Sequence, residues 1–273
     1  MRLLIIGGDV RNLYLARLAR ARGHDAALIG HGADDIPPRG EYGAAALPFP
    51  AAEKDGGAPC AHGILPMETA TAHIAPGARV YAARAGDALE SILTRKRCIR
   101  IDPSRDEAFV TENAAVTAEC ALWAMTARMR ACLFGAECLV LGYGRIGRAL
   151  ALRLRALGAR VTVLARSSAA LAAAKGDGMD FSPLGGEIPS GRYRLVFNTV
   201  PAPIAGEALL ARLAPDALAM DLASAPYGVD LSAAERLGVT AWREGGLPGR
   251  MAPESAAAAM LSLIERTKQA NGA

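Results

Sequence analysis

The sequence predicts an α/β protein of two doubly wound parallel-sheet, Rossmann-like domains, separated by a cleft and joined by long linking helices. Three observations lead there. The stretches "LLIIGGDVRNLYLARLARARGHDAALIG" (3–30) and "VLGYGRIGRALALRLRALGARVTVLARSS" (140–168) share one order: aliphatic run, glycine turn, amphipathic helix, second aliphatic run. An unbroken helical pattern, "NAAVTAECALWAMTARM" from Asn113 to Met129, lies between them. A chain of 273 residues with 52% hydrophobic content is long enough for two cores.

Taken in order, the first unit is followed by a loop-rich stretch, 31–60, which Pro37, Pro38, Pro48, Pro50 and Pro59 keep from reading as strand. Strand-like runs resume at "HGILP" (62–66), "RVYAA" (79–83) and "CIRID" (98–102), with a helical "GDALESILTR" between the last two. Residues 1–112 thus form an N-terminal domain of about five strands, by the alternation of strand and helix signals. A linking helix, 113–130, opens a second domain, 113–251. There "CLVLG", "RVTVLA", "LVFNTV", "ALAMDLA" and "VTAWRE" read as strands, separated by helical runs such as "GEALLARL" and "LSAAERLG", the alternation of a dinucleotide-binding domain. The last helix, 252–269, has a proline suited to its first turn and an Ala/Leu-rich body. It is expected to pack back on the first domain, so 252–273 are assigned there, with "KQANGA" as a loose tail.

Composition narrows the function. Lys and Arg exceed Asp and Glu by only 31 to 27, too small and dispersed a surplus for the basic stripe of a nucleic-acid binder. Five cysteines, Cys60, Cys98, Cys120, Cys132 and Cys138, form no C-x-x-C pair and no zinc-like cluster with the four histidines, so no metal is expected. A reducing cytoplasm is the simplest setting. The first glycine stands at position 7, too early for a signal-peptide core, and no apolar run approaches the roughly 20 residues that span a bilayer.

The second glycine turn carries the most chemistry. Gly142, Gly144 and Gly147, with Arg145 and Ile146 among them, follow an aliphatic strand and open a helix, the context that a dinucleotide fingerprint requires. Gly142 permits the tight turn, Gly144 lets backbone approach a pyrophosphate, and Gly147 lets helix and strand pack closely. Amides at the helix start then face the phosphate charge. At the end of the second strand, where an acid would bond a ribose 2′-hydroxyl, stand Arg166, Ser167 and Ser168. A guanidinium and hydroxyls suit a 2′-phosphate; a hydrogen bond to a charged group contributes about 1.5–3 kcal/mol, so NADP(H) is expected over NAD(H). The alternative is a solvated Arg166 beside a helix-capping Ser167. The N-terminal Gly7-Gly8-Asp9 lacks a third glycine; Asp9 and Arg11 either border a crevice at a strand's carboxyl end or cap the helix that begins near Val10.

All four histidines, His24, His31, His62 and His73, lie in the first domain, so the cofactor domain lacks the histidine acid/base of an ordinary 2-hydroxyacid dehydrogenase. None of Lys54, Lys96, Lys175 and Lys268 sits in the context of a shikimate-dehydrogenase lysine. Instead, three turns recur after strands. "NTVPAP" (Asn198, Thr199, Pro201) resembles the N-T-x-P turn of dehydrogenases that bind the nicotinamide half. "DLASAP" (Leu222, Ala223) and "GGLPGRMAP" (Gly246, Pro248) follow it, and all three are expected to converge with the glycine turn.

These motifs together resemble one family, the dipicolinate synthase A chains of endospore-forming bacteria. The resemblance runs nearly end to end, through "IIGGDVR", "ILPMETAT", "VTAEC", "VLGYGRIGR", "ARSS", "FNTVP", "DLAS" and "GLPG…AP". It implies an NADP-dependent oxidoreductase of sporulation, which completes dipicolinate synthesis from a dihydrodipicolinate or hydroxytetrahydrodipicolinate precursor. It also implies a partner in a hetero-oligomer, the flavoprotein-like dipicolinate synthase B chain; a homo-oligomer is compatible too. The nicotinamide is then expected between the "NTVP" turn and the "GLPG" loop, with substrate across the interdomain cleft.

A ring with two carboxylates demands cationic or amide donors and a nearby proton acceptor. Arg11 and Arg250 are candidate clamps, with Asp9 beside them, and Thr69, Thr71 and Thr117 are candidate hydroxyl donors. Glu119 is the candidate base or proton relay, on a mostly apolar helix where burial would raise its pKa; its bland alternative is a structural ion pair. Two other functions stay open: an NADP-dependent hydroxyacid or shikimate-type dehydrogenase, and a nonenzymatic NADPH-binding partner protein.

Overall fold

The computed structural model describes residues 1–49, 51 and 56–269; Pro50, Lys54 and the end of the polar tail, 270–273, lie outside them. The chain divides into two compact units, Met1–Asn113 together with the segment from Pro248 onward, and Ala114–Leu247.

The first unit runs β1 (Arg2–Ile6), α1 (Val10–Ala21), β2 (Asp25–Ile29), β3 (Tyr42–Ala46), β4 (Ala58–Cys60), β5 (Gly63–Leu65), α2 (Met67–Thr71), β6 (Ile74–Tyr81), α3 (Asp87–Arg95) and β7 (Ile99–Ile101). Its sheet has the order β2-β1-β3-β6-β7, with every neighbour parallel. β1 lies inside that sheet and its "LLII" run is fully buried, the continuous aliphatic reading of a strand covered on both faces. One face packs Leu4, Ile6 and Val80 against Leu89 and Ile92 of α3; the other packs Leu3, Ile5 and Leu28 against Leu15 of α1 and the C-terminal helix.

Two expectations are corrected here. "HGILP" contributes no strand to the main sheet: Gly63–Leu65 pairs antiparallel with Ala58–Cys60 in a separate hairpin. The fifth strand is instead β3, "YGAAA", inside the proline-rich stretch. Its small side chains lack the β-branched signature that marks strands in a sequence. The linking helix, α4 (Glu107–Thr126), begins six residues before the expected Asn113, because the Asp106 carboxylate accepts the Phe109 amide at 2.7 Å and caps it there.

The second unit continues with β8 (Glu137–Leu141), α5 (Arg145–Ala156), β9 (Arg160–Ala165), α6 (Ser168–Gly176), β10 (Asp180–Pro183), β11 (Leu195–Asn198), α7 (Glu207–Leu210), β12 (Leu218–Asp221), α8 (Leu231–Arg236) and β13 (Thr240–Arg243). The order β10-β9-β8-β11-β12-β13 is parallel throughout. The chain leaves β8 in one direction for β9 and β10 and in the other for β11 to β13. Its topological switch point therefore lies between β8 and β11. The sequence reading missed β10, a short edge strand ending in proline. Two parallel sheets, of five and six strands, bear out the α/β class.

After α9 (Leu247–Met251), where the sequence suggested only a loop, α10 (Pro253–Gln269) starts on the expected proline and lies along α1. Among the described residues no helix is long and apolar enough to cross a membrane. Leu261, Leu263 and Ile264 of α10 are fully buried. The next residue, Glu265, takes His24 Nε2 at 2.8 Å and Arg22 Nη1 at 2.6 Å. Burial alone would raise the Glu265 carboxyl, but these two partners outweigh it and hold it below the usual carboxylate range.

A carboxylate whose pKa is depressed by folding contributes stability near neutrality and loses it as pH falls through the depressed value. Glu265→Gln is therefore expected to lower the thermal midpoint by roughly 2–4 °C at neutral pH, about 1 kcal/mol for a partly exposed pair. The difference should vanish in acid, below the carboxylate range. Thermal melts across pH check this; equal midpoints at neutrality contradict it.

Candidate dinucleotide-binding site

At the carboxyl edge of the second sheet, ladder hydrogen bonding continues one residue past each strand. The Gly142 amide donates to Leu164 O at 2.8 Å, Thr199 to Leu141 O at 2.9 Å, Leu222 to Asn198 O at 2.8 Å and Glu244 to Asp221 O at 2.8 Å. The turns after β8, β11, β12 and β13 are thereby brought into one row. The glycine turn, the "NTVP" turn and the "DLAS" turn all belong to it.

The three glycines have three different reasons. Gly142 has φ +93°, and a Cβ there would meet Thr199 Oγ1 at 2.6 Å. A Cβ at Gly147 would run into the Gly142 carbonyl oxygen, so α5 lies against its own turn only because that atom is missing. Gly144 has an ordinary φ of −78°, and a Cβ there would meet no protein atom within 4 Å. Neither backbone strain nor internal packing demands glycine at 144; its effect is to leave open space in front of the helix start. Gly144 is also the N-cap of the twelve-residue α5 and supplies no side-chain cap. The amides at the start of α5 thus receive no acceptor from the N-cap side chain. This is a cradle suited to a pyrophosphate.

The polar side chains of Asn198, Thr199 and Asp221 in these turns point inward. Asn198 is fully buried; its Nδ2 donates to Asp221 Oδ1 at 2.7 Å and Val200 O at 3.0 Å, and its Oδ1 accepts the Val200 amide at 3.1 Å. Asp221 accepts further amides from Ala223 at 3.1 Å, Gly228 at 2.8 Å and Val229 at 2.9 Å. The Thr199 hydroxyl donates to Leu141 O at 2.9 Å. These polar groups shape the turns rather than reach outward; Pro201 is exposed, and Leu222 and Ala223 are half-buried. Gly246, at φ +64°, and Pro248 stand at the start of α9.

Beyond β9, Arg166, Ser167 and Ser168 are exposed. Ser167 Oγ accepts the Ala170 amide at 3.2 Å and caps α6, the alternative to the expected phosphate contact, while Arg166 follows directly on the carboxyl end of β9. Sequence reasoning missed Tyr143 and Asp177. Tyr143, between the first two glycines, is buried and donates its hydroxyl to Asp177 Oδ2 at 2.8 Å. Burial, then that carboxylate, holds the phenol protonated far above its ordinary range. Thirty-four residues separate the pair, and no local pattern links them.

In the first unit a small crevice sits beyond the carboxyl ends of β1 and β3, the switch point of that sheet. Gly8, Asp9, Arg11, Asn12, Leu47, Pro48 and Met260 are among its lining residues. Asp9 caps α1 through the Arg11 amide at 3.0 Å, and its carboxylate binds Arg11 Nε at 2.8 Å and Nη2 at 2.8 Å. Burial alone would raise the Asp9 carboxyl, but Arg11 holds it below the usual range. Border and cap are therefore one arrangement. A Cβ at Gly249 would meet Asp9 Oδ2 at 2.6 Å and Arg11 Nε at 3.0 Å, so α9, which bears exposed Arg250, packs on this pair at Gly249.

The remaining candidates are scattered. Thr69 is exposed; Thr71 is fully buried, and its hydroxyl donates to Met67 O at 2.8 Å within α2. Thr117 is buried on α4. Glu119 is exposed, which corrects the expected burial. Its neighbours Ala118 and Cys120 are buried, and the 100° step between helical residues turns Glu119 to solvent.

No protein-family model matches the chain. In sequence it is 35% identical over 137 residues to the dipicolinate synthase A chain of Bacillus subtilis (strain 168), a match spanning 49% of this chain and 46% of that relative. In structure it is similar to the dipicolinate synthase A chain from Bacillus halodurans, with a TM-score of 0.83, 25% identity and 97% of each chain covered. It is likewise similar to the solved A chain of the Bacillus subtilis synthase, with a TM-score of 0.82 and 24% identity over 98% of this chain and 96% of that one. The resemblance carried by the motifs is thus present both in aligned sequence and in fold.

The glycine assignments separate by stability alone. Gly147→Ala should destabilise by about 1–3 kcal/mol, because the turn must shift to admit a methyl group. Gly144→Ala should change stability by less than about 1 kcal/mol, the worth of a glycine cap over alanine. Denaturant unfolding of the two variants checks the contrast, and equal losses would contradict it.

Proposed function

We propose that the chain is an NADP-dependent oxidoreductase that forms dipicolinate, pyridine-2,6-dicarboxylate, from a dihydrodipicolinate or hydroxytetrahydrodipicolinate precursor. It acts in sporulation, in the cytoplasm, with a second, flavoprotein-like polypeptide, the dipicolinate synthase B chain. The observation that carries this reading is the open cradle before Gly144, in a chain similar throughout its fold to the dipicolinate synthase A chain. The five cysteines, all free, suit a reducing compartment.

In this reading the unit Ala114–Leu247 holds the cofactor. The first-turn amides of α5 bind the pyrophosphate, while Arg166, with the Ser167–Ser168 segment, receives the ribose 2′-phosphate. Asn198 and Asp221 act indirectly, by fixing the turns after β11 and β12. When bound, NADP⁺ supplies the hydride acceptor. The dihydropyridine ring gives up a hydride and a proton and becomes aromatic; a hydroxytetrahydro precursor first loses water.

The substrate's two carboxylates call for paired cations. Arg11 and Arg250 supply them in the first unit, where Gly249 packs on the Asp9–Arg11 pair. Because Asp9 already binds two nitrogens of Arg11, a substrate carboxylate there shares or displaces that contact. Thr69 and Thr117 remain hydroxyl donors for the substrate. The Thr71 hydroxyl serves its own helix, so it contributes by shaping α2. Glu119, open to solvent, takes the ring proton and passes it to water.

Supplying the precursor and NADP⁺, with and without the partner protein, and following pyridine dicarboxylate together with NADPH, tests the reaction. Equal amounts of the two products are expected. Failure to form either with both proteins present would contradict the assignment. Arg166→Gln should weaken NADP⁺ binding roughly tenfold to a hundredfold, with little effect on NAD⁺. Calorimetry reads this, and equal losses for the two nucleotides would remove Arg166 from the 2′-phosphate.

A further inference from the structure

The helix that presents Arg166, Ser167 and Ser168 is weakly attached by its own apolar surface. α6 is "SAALAAAKG", and Ala174 is its only buried residue. One alanine offers little hydrophobic docking. What ties the far end of this helix down is polar. Asp177, its C-cap, accepts Arg148 Nε at 2.7 Å and Nη2 at 3.1 Å, besides Tyr143 Oη at 2.8 Å. Its carbonyl accepts Arg155 Nη1 at 2.6 Å. Gly178, at φ +74°, ends the helix directly after it, and a Cβ there would meet the Arg155 guanidinium at 2.8 Å. The Arg148 hydrogen bonds are the main reason the Asp177 carboxyl lies below its ordinary range, with Tyr143 adding to them.

Tyr143 sits in the glycine turn, Arg148 and Arg155 lie on the helix that follows that turn, and Asp177 closes the helix whose start carries Arg166–Ser168. One carboxylate thus joins the phosphate-facing turn to the segment facing the adenosine ribose. We propose that Asp177 is a positioning residue for dinucleotide selection, holding the start of α6 at a set distance from the glycine turn through Tyr143 and Arg148. The inference rests on the dinucleotide reading above. A nine-residue helix is a rod of about 13 Å, so freeing its anchored end swings the other. Displacements near 1 Å are enough to degrade a bidentate contact to a phosphate.

The predicted signature is a change in preference rather than a general loss. Asp177→Asn keeps the side chain's shape and removes the charge that binds Arg148; Asp177→Ala removes the anchor. Both should weaken NADP⁺ binding, Asp177→Ala by about tenfold, and NAD⁺, which has no 2′-phosphate, by much less. Tyr143→Phe deletes the tie to the turn alone and leaves Arg148 on Asp177, so it should lower the preference in the same direction but by less than Asp177→Ala. Calorimetric titration of NADP⁺ and NAD⁺ into wild type and the three variants, with far-ultraviolet circular dichroism to show that each is folded, reads these ratios. A falling NADP⁺/NAD⁺ preference in folded Asp177→Asn supports the proposal. An unchanged preference there, with wild type still selecting NADP⁺, overturns it while leaving the dinucleotide reading in place. Wild type that binds neither nucleotide overturns both.

Discussion

The second unit depends on one close approach. α5 begins where Gly147 lies against the Gly142 carbonyl, a contact with no room for even a methyl group. That contact lets the helix start immediately after β8 and directs its first amides over the carboxyl edge of the sheet. Thr199 closes the other side, with its amide and its hydroxyl both on Leu141 O. The geometry of the space before the start of α5 is therefore set by backbone packing at the switch point.

Behind the cradle lies a buried polar framework. Asn198 and Asp221 occupy the ends of adjacent strands and satisfy each other and four backbone amides, those of Val200, Ala223, Gly228 and Val229. In a low-dielectric interior such groups are expensive to leave unpaired, and fully paired they make a turn rigid. The Asn198-Thr199-x-Pro201 turn thus commits its polar side chains to the shape of its own backbone. The first unit repeats the idea in simpler form. Asn12 Nδ2 and His31 Nε2 both contact Gly7 O, at 2.9 Å and 2.8 Å, and hold the turn that leads to Asp9 and Arg11.

Much of this was legible in the sequence, for physical reasons. Buried parallel strands are continuous aliphatic runs, so β1, β8 and β9 announce themselves, and glycine turns before amphipathic helices identify the βαβ units. β3 escaped because "YGAAA" fills a tight space with small side chains instead of branched ones, and β10 because an edge strand is under little pressure to be apolar. At the site, Gly142 and Gly147 could be read individually because each is required by a local backbone constraint, whereas Gly144 is required by neither strain nor packing. The inward direction of Asn198 and Thr199 could not be read, since a turn motif is the same string whether its polar atoms point in or out. Glu119 misled for a related reason. α4 is apolar in composition nearly all around, and composition does not say which residue lies on its exposed strip. The Tyr143–Asp177 tie joins the glycine turn to the end of α6 through the tertiary fold and leaves no mark in either segment alone.

The central claim is that a guanidinium after β9 and an uncapped helix start after β8 together define an NADP site. A crystal structure of the protein with NADP⁺ tests it most directly. The account predicts the pyrophosphate over Gly144 and the 2′-phosphate within about 3 Å of the Arg166 guanidinium. A nucleotide bound elsewhere, or one in this cradle whose 2′-phosphate points to solvent with Arg166 turned away, would contradict it.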